Sequence, residues 1–208
     1  MNDFPQVNIV VTPSQVEKMV CDKIIQKVQK PTRYMGYELN SVHRDWDTVG
    51  FKMLLAFPDV YEVGMSYVGF KILYNIINSN PSWVAERTFA PWPDMEDQMR
   101  ANGVPLYGLE SFNPARNYDV IGFTLQYEMT YTNVVNMLIL SGIEPLSRDR
   151  SEDDPIIVAG GPCASNPEPM AEFMDAFDLG DGEESLAEVA ETVELGKRDG
   201  LCRSGILR

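Results

Sequence analysis

The stretch FKMLLAFPDVYEVGMS, residues 51–66, decides the fold. Its first seven residues are almost all apolar, which is typical of a β-strand that is buried on both faces of a sheet. Pro58, Asp59 and Gly64 follow, and a helical pattern begins at Ser66. A strand that turns directly into a helix predicts a β-α unit whose connecting loop faces the ligand crevice of an open α/β sheet.

The alternation of strands and helices continues from residue 51 to about residue 197. It predicts an α/β fold of the Rossmann-like, flavodoxin-like type, in which a doubly wound, mainly parallel sheet of about five to six strands carries helices on both faces. The predicted strands are residues 51–57, 83–89, 105–109, 118–125, 155–161 and 176–181, and the predicted helices are residues 66–80, 91–103, 131–142 and 183–195.

A helical arm is predicted before the first strand. Within residues 12–31, Val16, Val20 and Ile24 recur at a spacing of four, which predicts an amphipathic helix with Ser14 as its N-cap. The resulting division of the chain is an arm of helix and extended chain over residues 1–50, the Rossmann-like domain over 51–197, and a truncated or irregular tail over 198–208.

The composition excludes several classes of partner. The 208 residues include 17 Lys and Arg against 31 Asp and Glu, a formal net charge of −14. Because so acidic a surface repels phosphate groups and anionic lipid, neither nucleic acid nor membrane is an expected partner. No apolar run approaches the roughly 18–20 residues of a spanning helix, and no signal-peptide pattern is present. A cytoplasmic protein is therefore expected.

The residue types that most often carry catalysis or metals are scarce. The only histidine, His43, lies in a polar stretch that is typical of the surface, so imidazole catalysis has a single candidate. The three cysteines, Cys21, Cys163 and Cys202, are far apart and form no C-x-x-C motif. This spacing argues against a zinc site, an iron–sulfur cluster or a disulfide framework within the chain. We assign no catalytic residue and no metal ligand.

Three strand-to-helix loops are expected to meet at one edge of the sheet: residues 58–66, 124–133 and 159–169. They offer glycines that let a ligand approach the backbone, together with hydroxyl, amide and aromatic groups, but no basic residue. The same features also suit a structural role, in which the glycines only form turns and the tyrosines only pack the loops. The candidate cofactor-binding residues are Asp59, Tyr61, Gly64, Ser66, Thr124, Gln126, Gly160 and Gly161.

These loops resemble those of cobalamin-binding domains, which carry D-x-H-x-x-G, S-x-L and Gly-Gly in this order. The corresponding segments are DVYEVG at 59–64, TLQ at 124–126 and GG at 160–161. Longer segments, FPDVYEVGMSYVGFKILYNIIN at 57–78 and YDVIGFTLQYEMTYTNVVNML at 118–138 among them, are similar to the N-terminal domain of a largely uncharacterised radical SAM family. In that family a cobalamin-binding-like Rossmann domain precedes a radical SAM barrel.

The resemblance implies a cobalamin-binding-type accessory domain that is not catalytic alone and whose partner is the radical SAM barrel of the full-length protein. The C-x-x-x-C-x-x-C motif is absent, so the iron–sulfur cluster and S-adenosylmethionine would be bound only by a C-terminal portion outside this chain. Tyr61 stands at the position of the cobalt-binding histidine. Because a phenol stays protonated near pH 7, the corrinoid would bind without a protein ligand to cobalt, or the pocket has lost it.

Two alternatives stay open. In the first, the domain is a vestigial Rossmann interaction domain, which docks the barrel or a partner without binding cobalamin. In the second, it is a nucleotide-dependent Rossmann enzyme. The first alternative expects a crevice plugged by Tyr61, Tyr127 and Tyr131. The second is disfavoured because the chain has no G-x-G-x-x-G after its first strand and no P-loop lysine.

Overall fold

A computed structural model describes residues 11–208; the first part of the predicted arm, residues 1–10, lies outside the described residues. Five strands form one parallel sheet in the order β2-β1-β3-β4-β5, which is the flavodoxin-like order. The strands are β1 Phe51–Phe57, β2 Trp83–Phe89, β3 Val120–Thr124, β4 Ile156–Gly160 and β5 Ala176–Phe177. The α-helices are α1 Pro13–Met19, α2 Tyr61–Ser66, α3 Val68–Ser79, α4 Pro93–Asn102, α5 Tyr131–Leu140, α6 Gly182–Arg198 and α7 Arg203–Ile206.

Strand β1 lies in the middle of the sheet, as its apolar sequence predicts. It pairs with β2 over its whole length and with β3 from Met53 to Ala56. The chain therefore leaves β1 toward β2 and later leaves β3 toward β4, in the opposite direction. The sheet reverses its winding between β1 and β3, and in such sheets a crevice opens at the carboxyl ends of these two strands.

Helices cover both faces of the sheet. Helix α3 packs on β2 and against α6, whereas α4 and α5 lie together on the other face, where the Arg100 guanidinium donates to Asn136 Oδ1 at 2.8 Å. Helix α4 is slightly shorter than the predicted 91–103: Pro93 is its first residue, and Gly103 closes it with a φ of +65°.

The arm contributes to the same core. Val16, Val20 and Ile24 are fully buried, as their spacing predicts. The predicted N-cap is wrong: Thr12, not Ser14, caps α1, and its side chain forms a capping box with Gln15.

The second half of the predicted arm helix is not α-helical. Helix α1 ends at Met19, and the chain continues as a π-helical turn over Val20–Ile24 and a 3₁₀ turn over Ile25–Lys27. Four β-branched residues lie between positions 20 and 28, and such residues lower the preference for the α-helix.

The strand predicted at residues 105–109 is absent; only Tyr107 forms an isolated bridge, with Pro114. Its backbone groups bond elsewhere, since Leu106 N–H donates to the end of α5 and Leu109 N–H donates to Arg87 C=O at the end of β2. The segment therefore packs beside the sheet without extending it.

The last predicted strand, residues 176–181, is reduced to the two residues of β5, so the sheet has five strands. The tail predicted to be irregular contains α7. Within residues 11–208, no helix has both the length and the apolar character that crossing a membrane requires.

Candidate functional site

The three loops predicted to form the site meet at the carboxyl edge of the sheet. Leu125 N–H donates to Gly160 C=O at 2.8 Å, and Cys163 N–H donates to Leu125 C=O at 3.1 Å, which joins the second loop to the third. Asn133 Nδ2 donates to Pro58 C=O at 2.9 Å, which joins the second loop to the first. The candidate residues thus share one rim, with the loop after β3 in the middle.

Two tyrosines of the middle loop bridge to its neighbours. The Tyr127 hydroxyl donates to Asp59 Oδ2, while Asp59 Oδ1 accepts Val60 N–H at 2.6 Å. Burial, followed by the bond to Asp59, raises the pKa of Tyr127 to about 12. Tyr131 contacts the Cys163 thiol, and burial together with that contact raises its pKa. The Asp59 carboxylate therefore already has partners, and Tyr127 spans the crevice between the first two loops.

Tyr61 faces the arm. Its hydroxyl donates to Glu38 Oε1 at 2.6 Å, and its ring packs edge-on against Phe89 with the centroids 5.3 Å apart. Burial, followed by the bond to Glu38, raises the pKa of Tyr61 to about 12. A protonated phenol engaged with a carboxylate does not fit the role of an axial ligand to cobalt.

Gly64 makes room for aromatic side chains of the protein itself. A Cβ at this position in α2 would lie 2.4 Å from Phe89 Cε1 and 3.0 Å from Phe57 Cγ. The nearby Ser66 hydroxyl donates to Val63 C=O at 2.7 Å, within the same helix. Both residues therefore contact other residues of the protein: Gly64 lies against two aromatic rings, and the Ser66 hydroxyl bonds within its own helix.

Gly64→Ala is expected to destabilise the chain by about 1–3 kcal/mol, because the added methyl group overlaps the Phe89 ring. Chemical denaturation of the two proteins measures the difference. Phe89→Leu in the Gly64→Ala background should recover part of the loss, since it removes the ring that the methyl group meets. A Gly64→Ala protein as stable as the parent would show that this glycine serves some need other than packing.

The remaining candidates lie where the second and third loops meet. Thr124 is buried at the end of β3, paired in the sheet with Gly160, and Gln126 is half-buried. Gly161 is exposed with a φ of +96°, and a Cβ there would lie 2.9 Å from Leu125 O and 3.1 Å from Gln126 Nε2. The tight junction between the second and third loops therefore explains this glycine without a ligand.

A buried ion pair on β2 is the feature that the sequence interpretation missed. Arg87 Nε donates to Glu110 Oε1 at 2.6 Å, its backbone N–H donates to Glu110 Oε2 at 2.8 Å, and its Nη2 lies 3.3 Å from Glu38 Oε2. Its guanidinium also stacks over the Tyr74 ring at 4.4 Å. Burial raises the pKa of Glu110 to about 7 against the opposing effect of Arg87. This network connects the arm to the sheet beside Tyr61.

The preceding residue, Glu86, forms a second buried network. Its carboxylate accepts the Trp46 indole N–H at 2.9 Å, the Tyr118 hydroxyl at 2.6 Å and both the hydroxyl and backbone N–H of Ser111 at 2.7 and 3.2 Å. Only 2% of Glu86 is exposed. Sequence offers one signal for both networks: two charged residues inside an otherwise apolar strand, which must find partners when that strand is buried.

Large apolar side chains are exposed along the same rim. Met129 in the loop after β3 is 88% exposed, Leu179 after β5 is 66% exposed, and Val68 at the start of α3 is 66% exposed. Exposed apolar groups of this size are typical of a surface that contacts another protein or a ligand. Further members of this set, all on strand-to-helix connections, are Val63, Tyr67, Trp92 and Tyr127.

Metal-ligating side chains do not gather at this rim or elsewhere in the described chain. Within residues 11–208, no group of three or more His, Cys, Asp or Glu side chains is arranged to hold a metal ion. The contacts of the rim are hydrogen bonds and aromatic packing.

Comparison with known families decides the relationship. The family model described as "Radical SAM proteins, N-terminal" matches residues 69–208, about two thirds of the chain, starting in α3 and including the loops after β3 and β4. The chain belongs to this radical SAM N-terminal family. The family relationship agrees with the radical SAM resemblance drawn from the longer segments of the sequence.

A curated relative of the radical SAM N-terminal chain is an uncharacterized protein of Methanocaldococcus jannaschii. It is 29% identical over 134 residues, which are 63% of this chain and 24% of the relative. The chain thus spans about a quarter of that relative's length. No solved structure matches.

Proposed function

We propose that this chain is the accessory domain of a radical SAM protein and that its carboxyl-edge rim docks against the rest of the full-length protein. The observation that carries the proposal is the exposure of large apolar side chains on the strand-to-helix connections, where Met129 is 88% exposed and Leu179 and Val68 are each 66% exposed. The domain has no catalytic role alone.

The chemistry of the full-length protein belongs to other segments in this proposal. An open cluster needs three close thiolates, whereas the three cysteines here are distant in sequence. The iron–sulfur cluster and S-adenosylmethionine are therefore assigned to a radical SAM barrel elsewhere in the full-length protein. The accessory domain supplies a preformed surface against which that barrel packs.

The bridged loops support docking over catalysis. Tyr127 engages Asp59, and Tyr61 engages Glu38 of the arm, so that two of the polar groups predicted to face a ligand are already bonded within the protein. A rim fixed by such contacts is preorganised for a protein surface, because docking requires no loop to rearrange.

The test is the double variant Met129→Glu/Leu179→Glu in the full-length protein. Two carboxylates buried at a docked face should separate the domains and make the inter-domain connection about fivefold more susceptible to limited proteolysis. The matched control is Leu195→Glu, at a residue of α6 that is 45% exposed. Equal proteolysis of the double variant, the control and the parent would contradict docking through this rim.

Cobalamin bound without a protein ligand to cobalt is the second candidate function. It is supported by the meeting of the three loops at the β1/β3 reversal, the place where flavodoxin-like sheets bind ligands. Hydroxocobalamin titrated into the chain distinguishes the two. Docking alone predicts no spectral change and no retained cofactor at tens of micromolar, whereas saturable binding, altered further by Tyr61→His, would favour the second candidate.

A further inference from the structure

A cleft of about 310 Å³ opens between the N-terminal arm, α2, α3 and β2, apart from the β1/β3 crevice. We call it the arm cleft. Arg87 lies at its base, with only 6% of its side chain exposed, and Lys71 and Asn75 of α3 stand beside its opening. Of the three predicted loops, only the first contributes to the arm cleft, through Met65. The docking proposal does not involve this cleft.

The arm cleft holds polar groups with unused bonding capacity. Arg87 has five N–H donors in its side chain; Nε bonds Glu110, Nη2 bonds Glu38, and Nη1 has only the Met65 thioether at 3.5 Å. A thioether is a weak acceptor. Each side-chain nitrogen of Arg87 thus has a partner within the described residues, but the partner of Nη1 is weak, so that a carboxylate bound in the arm cleft would improve its bonding.

The opening carries further unused donors. Within residues 11–208, the side chains of Lys71, Asn75 and Asn40 have no hydrogen-bond or ion-pair partner, and all three border the arm cleft. Two cations, one buried and one exposed, thus face the same space in a protein whose formal charge is −14.

The charge balance limits the class of ligand. Glu38 and Glu110 flank Arg87, and Lys71 adds a second positive charge at the opening. The carboxylates of Glu38 and Glu110 would repel a doubly charged phosphate more strongly than a ligand with one negative charge. A ligand carboxylate carries one charge, and its planar shape suits a guanidinium. The apolar residues that line the arm cleft are Leu39, Met65 and Tyr74, and Leu39 is 93% exposed.

We propose that the arm cleft binds a small monocarboxylate with a short apolar body. Its carboxylate accepts N–H groups from Arg87 and Lys71, and its apolar body lies against Leu39 and Tyr74. The site is independent of the docking rim, so that either proposal can fail without the other.

The test uses phenylacetate as the probe, with phenylacetamide as its neutral counterpart and inorganic phosphate as the doubly charged anion. Nuclear magnetic resonance of the chain should show saturable shifts of the Asn40 and Asn75 side-chain amides with a Kd of about 1 mM for phenylacetate. Phenylacetamide should bind at least about tenfold more weakly, because it cannot form charge-assisted bonds. Phosphate should also bind more weakly than phenylacetate.

The matched variants are Lys71→Gln and Lys18→Gln, which remove the same charge inside and outside the arm cleft from exposed positions. Lys71→Gln should weaken phenylacetate binding about fivefold at low salt, and Lys18→Gln should not change it measurably. The proposal is overturned if phenylacetate at about 20 mM produces no saturable shift. Equal binding of the amide, tighter binding of phosphate, or equal effects of the two lysine variants would also overturn it.

Discussion

Replacing Arg87 with methionine is expected to lower the free energy of unfolding by about 3–5 kcal/mol, the usual cost of leaving one member of a buried ion pair without its partner. The Glu110 side chain is fully buried and accepts both the backbone N–H and the Nε–H of Arg87. With methionine at this position, the Glu110 carboxylate would lose its cation. Glu38 would also lose its contact with the guanidinium, which weakens the attachment of the arm.

Urea denaturation followed by circular dichroism measures this loss. Arg148→Met is the matched control, since Arg148 is 66% exposed and its nearest carboxylates lie 3.7 and 4.0 Å away, so that an effect within about 1 kcal/mol is expected. Adding Glu110→Leu to Arg87→Met should recover part of the stability, because it removes the stranded charge. If Arg87→Met were as stable as the control variant, Arg87 and Glu110 would not form a buried pair.

Glu86→Leu is expected to cost about 3 kcal/mol, because one buried and three partly buried donors lose a shared acceptor. The affected donors are the Trp46 indole N–H, the Tyr118 hydroxyl and the two groups of Ser111. Trp46 belongs to the arm, and its ring also packs edge-on against Tyr118 at 4.8 Å. The substitution should therefore loosen the arm near Trp46 as well as destabilise β2.

The denaturation midpoint and the tryptophan fluorescence of the folded state report on the two effects. Glu188→Leu, on the exposed face of α6, should change stability by no more than about 0.5 kcal/mol. Glu86→Gln should be less damaging than Glu86→Leu, since one carbonyl oxygen still accepts hydrogen bonds. Equal stability of Glu86→Leu and Glu188→Leu would mean that the shared acceptor contributes nothing.

Much of the fold could be predicted from the sequence because its strands and helices have distinct patterns. The apolar runs at 51–57 and 83–89 are strands with those same bounds, and most of the helix predicted at 66–80 is present as α3. Its buried face could not be predicted from spacing alone, since Val68 and Ile72 are 66% and 39% exposed whereas Phe70, Tyr74 and Ile77 are buried. The segment at 105–109 has the composition of a strand, but its backbone groups bond to α5 and β2 as individual contacts. The apolar composition of this segment predicts that it is buried, but it does not predict whether the segment pairs with a strand of the sheet.

The location of the candidate site could be predicted, but most of its contacts could not. The order of β-α units places the three loops on one rim, so their proximity follows from topology. The partners of Tyr61 and Gly64 come from segments that are distant in sequence, Glu38 in the arm and Phe89 at the end of β2. No local pattern signals such contacts. The buried Arg87 and Glu110 are 23 positions apart and illustrate the same limit.

Amide hydrogen exchange tests the docking proposal most directly, by comparing the 208-residue chain with the full-length protein. Loops 125–131 and 178–182 should exchange at least about tenfold more slowly in the full-length protein, while the exposed face of α6 should exchange at the same rate in both. Unchanged exchange in both loops, with protection appearing instead on α6, would contradict the account.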